Sequence, residues 1–375
     1  MLRFDPGARA TALALALAAL TVPACAQGVA EPRPAPTRAA ARGDVPMDAA
    51  RAAALYVSDR HEDHPKADYA RQMAEKARID SIYAARSRGV MRVEKITYRS
   101  AVDGMEIPAY VFAPLAARGD RAHAAMVWVH GGVHGNWAET YLPFVVEAVQ
   151  RGYVIIAPEY RGSTGYGEAH HTAIDYGGKE LDDVASAVDH LKTLPFVDPE
   201  RIAVMGWSHG GFIAAHLVFR QRTPFRAGVA MVPVTNLVFR LSYKGPRYQR
   251  SFSTQKEILG LPFERREEYI RRSPLYRVDS LSVPILVHVA TNDTDVDYVE
   301  AQQLVDALRA RKPELAETKV YVDPTPGPVS GGHTFNRRVN RETLERDDSP
   351  EQIDSWNRVW AFFDRTLKPG RTAGR

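Results

Sequence analysis

The sequence predicts an α/β fold: a mainly parallel, doubly wound sheet with helices on both faces. Two observations carry that expectation. Short apolar runs alternate with longer helix-like segments over most of the chain, the pattern of repeated strand–helix–strand units. One of those runs, Ile202-Ala203-Val204-Met205, breaks off at Gly206-Trp207-Ser208-His209-Gly210-Gly211 and leads into the helix-like FIAAHLVFR. A G-x-S-x-G sequence between strand and helix is a sharp turn that presents the serine hydroxyl at its apex. Gly206, Gly210 and Gly211 remove the side chains that such a turn would crowd.

The bulk properties agree with one large domain. The 375 residues are 45% hydrophobic and 25% charged, an ordinary globular balance that supports a sizeable core. The formal charge of +4 comes from scattered arginines rather than a basic stripe. No nucleic-acid partner is therefore expected.

At the N-terminus Arg3 and Arg9 flank an apolar run, Thr11–Val22, too short to span a bilayer, and Ala24-Cys25-Ala26 supplies an A-x-A cleavage site. Residues 1–26 read as a secretory signal peptide rather than a membrane span, and the expected compartment is a bacterial periplasm. Lipidation of Cys25 is the weaker reading, because Pro23 fits a lipoprotein signal badly. Cys25 is the only cysteine, so no disulfide or thiol chemistry is expected after cleavage. Residues 27–46, rich in Pro, Ala and Arg, read as a flexible linker. Residues 47–90 read as a helical N-terminal extension, with helices near Met47–Val57 and Asp68–Arg88. Within it His61-Glu62-Asp63-His64 lacks the H-E-x-x-H spacing and sits beside Arg60, Pro65 and Lys66. No metal site is expected there, and nothing in the chain implies an organic cofactor.

Residues 91–368 carry the main domain. Val93–Ser100 and Glu106–Ala113 alternate as two antiparallel strands joined across Asp103-Gly104. Buried strands follow at Ala125–Val129, Tyr153–Ala157, Ile202–Trp207, Ala227–Val234, Pro284–Ala290 and Thr318–Val322. Helices are expected at Tyr141–Arg151, Lys179–Leu194, after the turn, at Tyr298–Arg311 and at Pro350–Leu367. In such sheets ligands gather at the carboxyl ends of the strands. Ser208, the His130-Gly131-Gly132 loop and the loop after Ala290 all fall there.

A serine hydroxyl is a weak nucleophile until an oriented base takes its proton. In the α/β-hydrolase arrangement the partners follow the serine in the order acid, then histidine. Only His333 lies beyond residue 288, in Gly331-Gly332-His333-Thr334-Phe335, so an acid after the Pro284–Ala290 strand leaves His333 as the base. Asp293 is the first carboxylate past that strand, and Asp295 is an alternative by spacing. The oxyanion requires donors: the His209 N–H directly after the serine, and a second N–H from the loop holding Gly131 and Gly132.

These segments, together with Tyr160-Arg161-Gly162-Ser163-Thr164-Gly165-Tyr166-Gly167 and Ser273-Pro274-Leu275-Tyr276, resemble the catalytic domain of the prolyl oligopeptidase family of serine peptidases. The resemblance covers roughly Val93 to Leu367 and implies an α/β-hydrolase fold. It implies Ser208 as nucleophile, Asp293 rather than Asp295 as acid, and His333 as base. About fifty residues of helix-like sequence stand where larger members carry an N-terminal β-propeller. His130 stands where prolyl oligopeptidases place a tyrosine, as in acylaminoacyl-peptidase-like members.

Between Val234 and Pro284, a lid-like insertion at about 235–280 interleaves Phe239, Tyr243, Tyr248 and Phe252 with Arg240, Arg247 and Arg250. Tyr243 and Tyr248 are candidate substrate-binding residues, and the arginines could hold a substrate carboxylate. The expected activity is that of an exported serine peptidase cleaving peptide or aminoacyl bonds through an acyl-enzyme. A carboxylesterase on the same fold is the alternative. A non-catalytic binding protein would lack a member of the triad, and the sequence lacks none.

Overall fold

A computed structural model of the protein describes residues 66–367. The expected signal peptide, linker and first N-terminal helix, and His61–His64, lie outside the described residues. One sheet of eight strands organises what is described: β1 (Arg92–Arg99), β2 (Glu106–Ala113), β3 (His123–Val129), β4 (Val154–Pro158), β5 (Val197–Trp207), β6 (Ala227–Met231), β7 (Ile285–Ala290) and β8 (Ala316–Tyr321). Their order is β1-β2-β4-β3-β5-β6-β7-β8. β1 with β2 and β2 with β4 are antiparallel, and every pairing from β4 to β8 is parallel. Each strand expected from the sequence is present, with ends differing by a few residues. β5 starts earliest relative to expectation, at Val197 rather than Ile202, because Val197 pairs with His123 across an irregularity in β3.

The central strands are apolar on both faces, as a sheet covered on both sides requires. Val127, Val129, Ile156 and Val204 point to one layer, where they meet Leu181, Val184 and Leu191 of helix Lys179–Thr193, Ile213 and Leu217 of helix His209–Val218, and Leu304 and Leu308 of helix Tyr298–Arg311. Their neighbours Met126, Trp128, Ile155 and Met205 point to the other. There they meet Phe144 and Val145 of helix Leu142–Gln150, Trp356 and Phe363 of helix Pro350–Thr366, and Ile79 and Tyr83 of helix Tyr69–Arg86. The alternation along each strand assigns successive residues to opposite layers.

Helix Tyr69–Arg86 begins where the Asp68 carboxylate caps the Arg71 N–H at 3.0 Å. Its Lys76, Ile79 and Tyr83, spaced i, i+3 and i+7, are buried against the main domain. The insertion contains three short helices, Leu237–Tyr243, Pro246–Ser253 and Arg266–Arg271, followed by the 3₁₀ segment Pro274–Ser280. Helix Glu168–Thr172 was not foreseen: its five residues are too few for a hydrophobic period to show.

Candidate active site

The turn at the end of β5 is as tight as its glycines imply. Ser208 has φ +56° and ψ −118°, a left-handed conformation that side-chain-bearing residues rarely adopt. The surroundings enforce it. The Ser208 N–H donates to Met231 O at 2.9 Å, and Ser208 O accepts from Phe212 N–H at 2.8 Å, opening the helix. A Cβ on Gly206 would lie 2.5 Å from the Gly210 carbonyl carbon, and one on Gly210 would lie 2.7 Å from His130 O. The strain is stored where the apolar sheet and the following helix both oppose relaxation.

Beyond β7 and β8 two loops meet. Asp293 pairs with Gly331 in an isolated antiparallel bridge, and Gly332 N–H donates to Asn292 O at 3.0 Å. Gly331 has φ +59°, and a Cβ on it would come within 2.8 Å of Asn292 O. Only glycine fits that approach. The bridge sets the His333 Nδ1–H to donate to Asp293 Oδ2 at 2.7 Å, with both side chains buried. Asp293 Oδ1 is held in turn by the N–H groups of Asp295 and Val296, each at 2.9 Å. Three residues after His333, Asn336 Oδ1 accepts from Trp207 Nε1 at 2.9 Å, which ties the histidine segment to the residue before the serine.

The two carboxylates left open by spacing are thus placed on opposite edges of one ring. Asp293 holds Nδ1, and Asp295 Oδ2 lies 3.4 Å from Nε2. Burial works against the charge of Asp295, yet His333, Arg240 and Lys244 hold its carboxyl below the usual carboxylate range. No hydrogen bond joins Ser208 Oγ to His333 among the described residues. In substrate-free sites such bonds commonly tighten only when substrate binds.

On the other side of Ser208 runs the loop that follows β3. A Cβ on Gly131 would stand 3.4 Å from Ser208 Cβ and 3.0 Å from Trp207 O, so the loop backbone lies directly against the turn. One expected oxyanion donor needs correction. The Gly131 N–H already donates to Tyr141 Oη at 3.0 Å, and the same hydroxyl accepts from Arg337 at 2.7 Å. Gly132, with φ +76°, keeps an N–H with no partner among the described residues. His209 opens its helix and so has no intrahelical acceptor for its own N–H. Tyr141 sits ten residues from Gly131, and nothing in the local sequence announces their contact.

His130 itself is fully buried. Burial pushes its pKa down to about 4, against the pull of Glu159, so the ring is neutral at ordinary pH. Its Nε2 lies 2.8 Å from Ser163 Oγ and 3.4 Å from Glu159, and its ring stacks on Tyr160 with centroids 4.3 Å apart. Its role is to shape the loop, not to titrate.

In the insertion, Tyr243 and Tyr248 are half-buried and turn their hydroxyls toward Arg240, at 3.0 and 2.8 Å. Arg240 is buried, with Glu300 at 3.3 Å and Asp295 at 3.4 Å. The expectation that it could grip a substrate carboxylate is therefore overturned, because its guanidinium is enclosed by this chain's own acids and phenols. Arg247 and Arg250 are exposed.

A strained serine after a central strand, a carboxylate-held imidazole on later loops and a glycine loop against the serine define the serine-hydrolase class on an α/β-hydrolase sheet. The model of the prolyl oligopeptidase family matches residues 141–344, more than half of the chain. The chain belongs to that family of serine peptidases. It is 32% identical over 278 residues to the peptidase YuxL of Bacillus subtilis (strain 168), covering 73% of this chain and 39% of that protein. Among solved structures it is similar to the acylaminoacyl peptidase of Pyrococcus horikoshii, with TM-score 0.60 and 18% identity over 78% of this chain and 45% of that one. It is similar also to a puromycin-hydrolyzing peptidase of Mycobacterium tuberculosis, with TM-score 0.57 and 24% identity over 76% and 41% of the two chains. The chain spans less than half the length of each of these relatives. Among the described residues no helix is long and apolar enough to cross a membrane.

Proposed function

We propose that this chain is a serine peptidase that cleaves peptide or aminoacyl amide bonds through an acyl-enzyme. The single observation that carries the reading is the 2.7 Å Asp293–His333 pair on loops tied to the strained Ser208 turn. Ser208 Oγ attacks the substrate carbonyl while His333 Nε2 takes its proton. Asp293 keeps Nδ1 protonated and steadies the imidazolium. The N–H groups of His209 and Gly132 receive the developing oxyanion; one such donor is typically worth about 10²–10³ in rate. His333 then returns the proton to the departing amine, and water repeats the sequence on the acyl-enzyme. For Nε2 to serve Ser208 it must turn from the carboxylate of Asp295, 3.4 Å away, toward the serine hydroxyl.

The family, and the similarity to an acylaminoacyl peptidase and a puromycin-hydrolyzing peptidase, support an amide bond next to an amino-acid residue. Tyr243 and Tyr248, half-buried in the insertion with their hydroxyls on Arg240, are its candidate contacts to a substrate side chain. Export to a periplasm is part of the proposal and rests on the charged start, the short apolar run and the Ala24-Cys25-Ala26 site. Parallel kinetics on aminoacyl-nitroanilides and short acyl-nitrophenyl esters test the bond. Turnover of both is expected; ester turnover beside a negligible amide rate would make the protein a carboxylesterase.

A further inference from the structure

A lysine deep in a helix–sheet contact is unusual, since its ammonium loses its hydration there unless an acid and further acceptors replace it. Lys76, on helix Tyr69–Arg86, is 2% exposed. Its Nζ forms an ion pair with the fully buried Glu159, at the carboxyl end of β4, and donates to Trp137 O at 3.1 Å. The face of the Tyr110 ring lies 4.5 Å from the ammonium. Glu159 accepts the Trp137 N–H on both oxygens, at 3.1 and 3.2 Å. The ion pair therefore grips residue 137 on both sides, by its N–H and by its carbonyl.

That residue ends the loop that begins at His130. The Trp137 ring stacks on Tyr141, with centroids 4.2 Å apart and planes 14° from parallel, and Tyr141 Oη receives the Gly131 N–H. At the loop's start Glu159 also approaches His130 Nε2. The same helix holds the next two residues: Tyr83 Oη donates to Ala138 O at 2.8 Å, and Arg78 pairs with Glu139 at 2.8 Å. The helix lies so close to the Gly162–Gly167 turn that a Cβ on Gly165 would meet Lys76 Cβ at 2.5 Å.

We propose that Lys76 is a positioning residue: with Glu159 it clamps the far end of the glycine loop, so that the N-terminal helix sets the placement of the oxyanion donors beside Ser208. The inference rests on the serine-hydrolase reading for its effect on rate, but the clamp itself is a statement about the loop. The helix then belongs to the active-site architecture.

The test combines two readouts on the full chain. Hydrogen–deuterium exchange followed by mass spectrometry is measured on peptides spanning 130–141, with inactivation by a fluorophosphonate measured alongside. In Lys76→Met the 130–141 amides should exchange at least about tenfold faster while β5 and β6 stay protected, and inactivation should slow by about 10–100-fold, up to the loss of one oxyanion donor. Because that variant leaves a buried carboxylate alone, Lys76→Met with Glu159→Gln is the second variant. It keeps an acceptor for Trp137 N–H, removes both charges, and should still slow inactivation at least about tenfold. Wild-type exchange and inactivation rates in the folded double variant would overturn the clamp, as would an exchange increase spread evenly over the sheet. If the wild type itself does not react but exchange changes as stated, the catalytic reading fails and the clamp stands.

Discussion

The two sides of Ser208 are built from opposite materials. On the His130–Tyr141 side the inner charges are one buried pair, Lys76 with Glu159, beneath a neutral His130 and stacked Trp137 and Tyr141 rings. On the Asp293–His333 side Asp295 stands beside the imidazole, backed by Lys244 and by the Arg240–Glu300 pair, and Asp295 and Lys244 remain partly open to water, with side chains 30% and 23% exposed. The first side is a scaffold whose buried Lys76–Glu159 pair and stacked rings support the loop that carries the backbone donors. In the proposed mechanism the second passes the proton, through His333. Stabilising an oxyanion asks for rigidity, whereas passing a proton back and forth asks for a ring with some freedom.

That contrast can be broken most severely at the point the two sides share. Ser208→Ala and His333→Ala should each reduce turnover by about 10⁴–10⁶ with melting temperature nearly unchanged, as read by steady-state kinetics and calorimetry. Asp293→Asn should cost about 10⁴ by presenting the wrong tautomer, while Asp295→Asn should change kcat less than about tenfold. Equal losses from the two asparagine variants would mean that the imidazole is oriented from both edges. Gly210→Ala probes the turn itself. Its methyl would press on Val129 O and His130 O, and a loss of about 1–3 kcal/mol or more in a denaturant titration is expected, with soluble yield falling accordingly.

The smallest effect concerns Glu180, 3.7 Å from the buried His209 ring. Burial pushes its pKa up to about 8, despite N–H donors from Gly177 and Gly178, above the ordinary 4.5. The folded protein thus keeps a proton that the unfolded chain loses as pH rises. The stability this provides is full below 4.5, declines as pH climbs, and is gone above about 8. Glu180→Gln has no such proton, so its melting temperature should decline less than wild type between about pH 5 and pH 8. An identical decline would show that Glu180 is already ionised in the folded state.

Much of the framework was legible because it rests on local rules. Period-two alternation marked β1 and β2, short apolar runs marked the central strands, and the glycines around Ser208 marked the turn. The scarcity of late histidines singled out His333. What escaped the sequence depends on distant pairs. Lys76 looks like one more charge on a polar helix; the only hint is that it shares a face with Ile79 and Tyr83. The contact that removes Gly131 as a donor comes from a tyrosine hydroxyl presented by a neighbouring helix. Arg240 offers the same lesson in reverse: an arginine among aromatics suggests a ligand, and only its three-dimensional neighbours reveal that Glu300 and Asp295 already surround it.

The central claim is that a single serine hydroxyl, activated by His333, forms the covalent intermediate. Labelling the protein with a fluorophosphonate and mapping the adduct by tandem mass spectrometry addresses it directly. One adduct is expected, on Ser208, that vanishes in Ser208→Ala and forms far more slowly in His333→Ala. An adduct on a different residue, or undiminished labelling of Ser208→Ala, would contradict it.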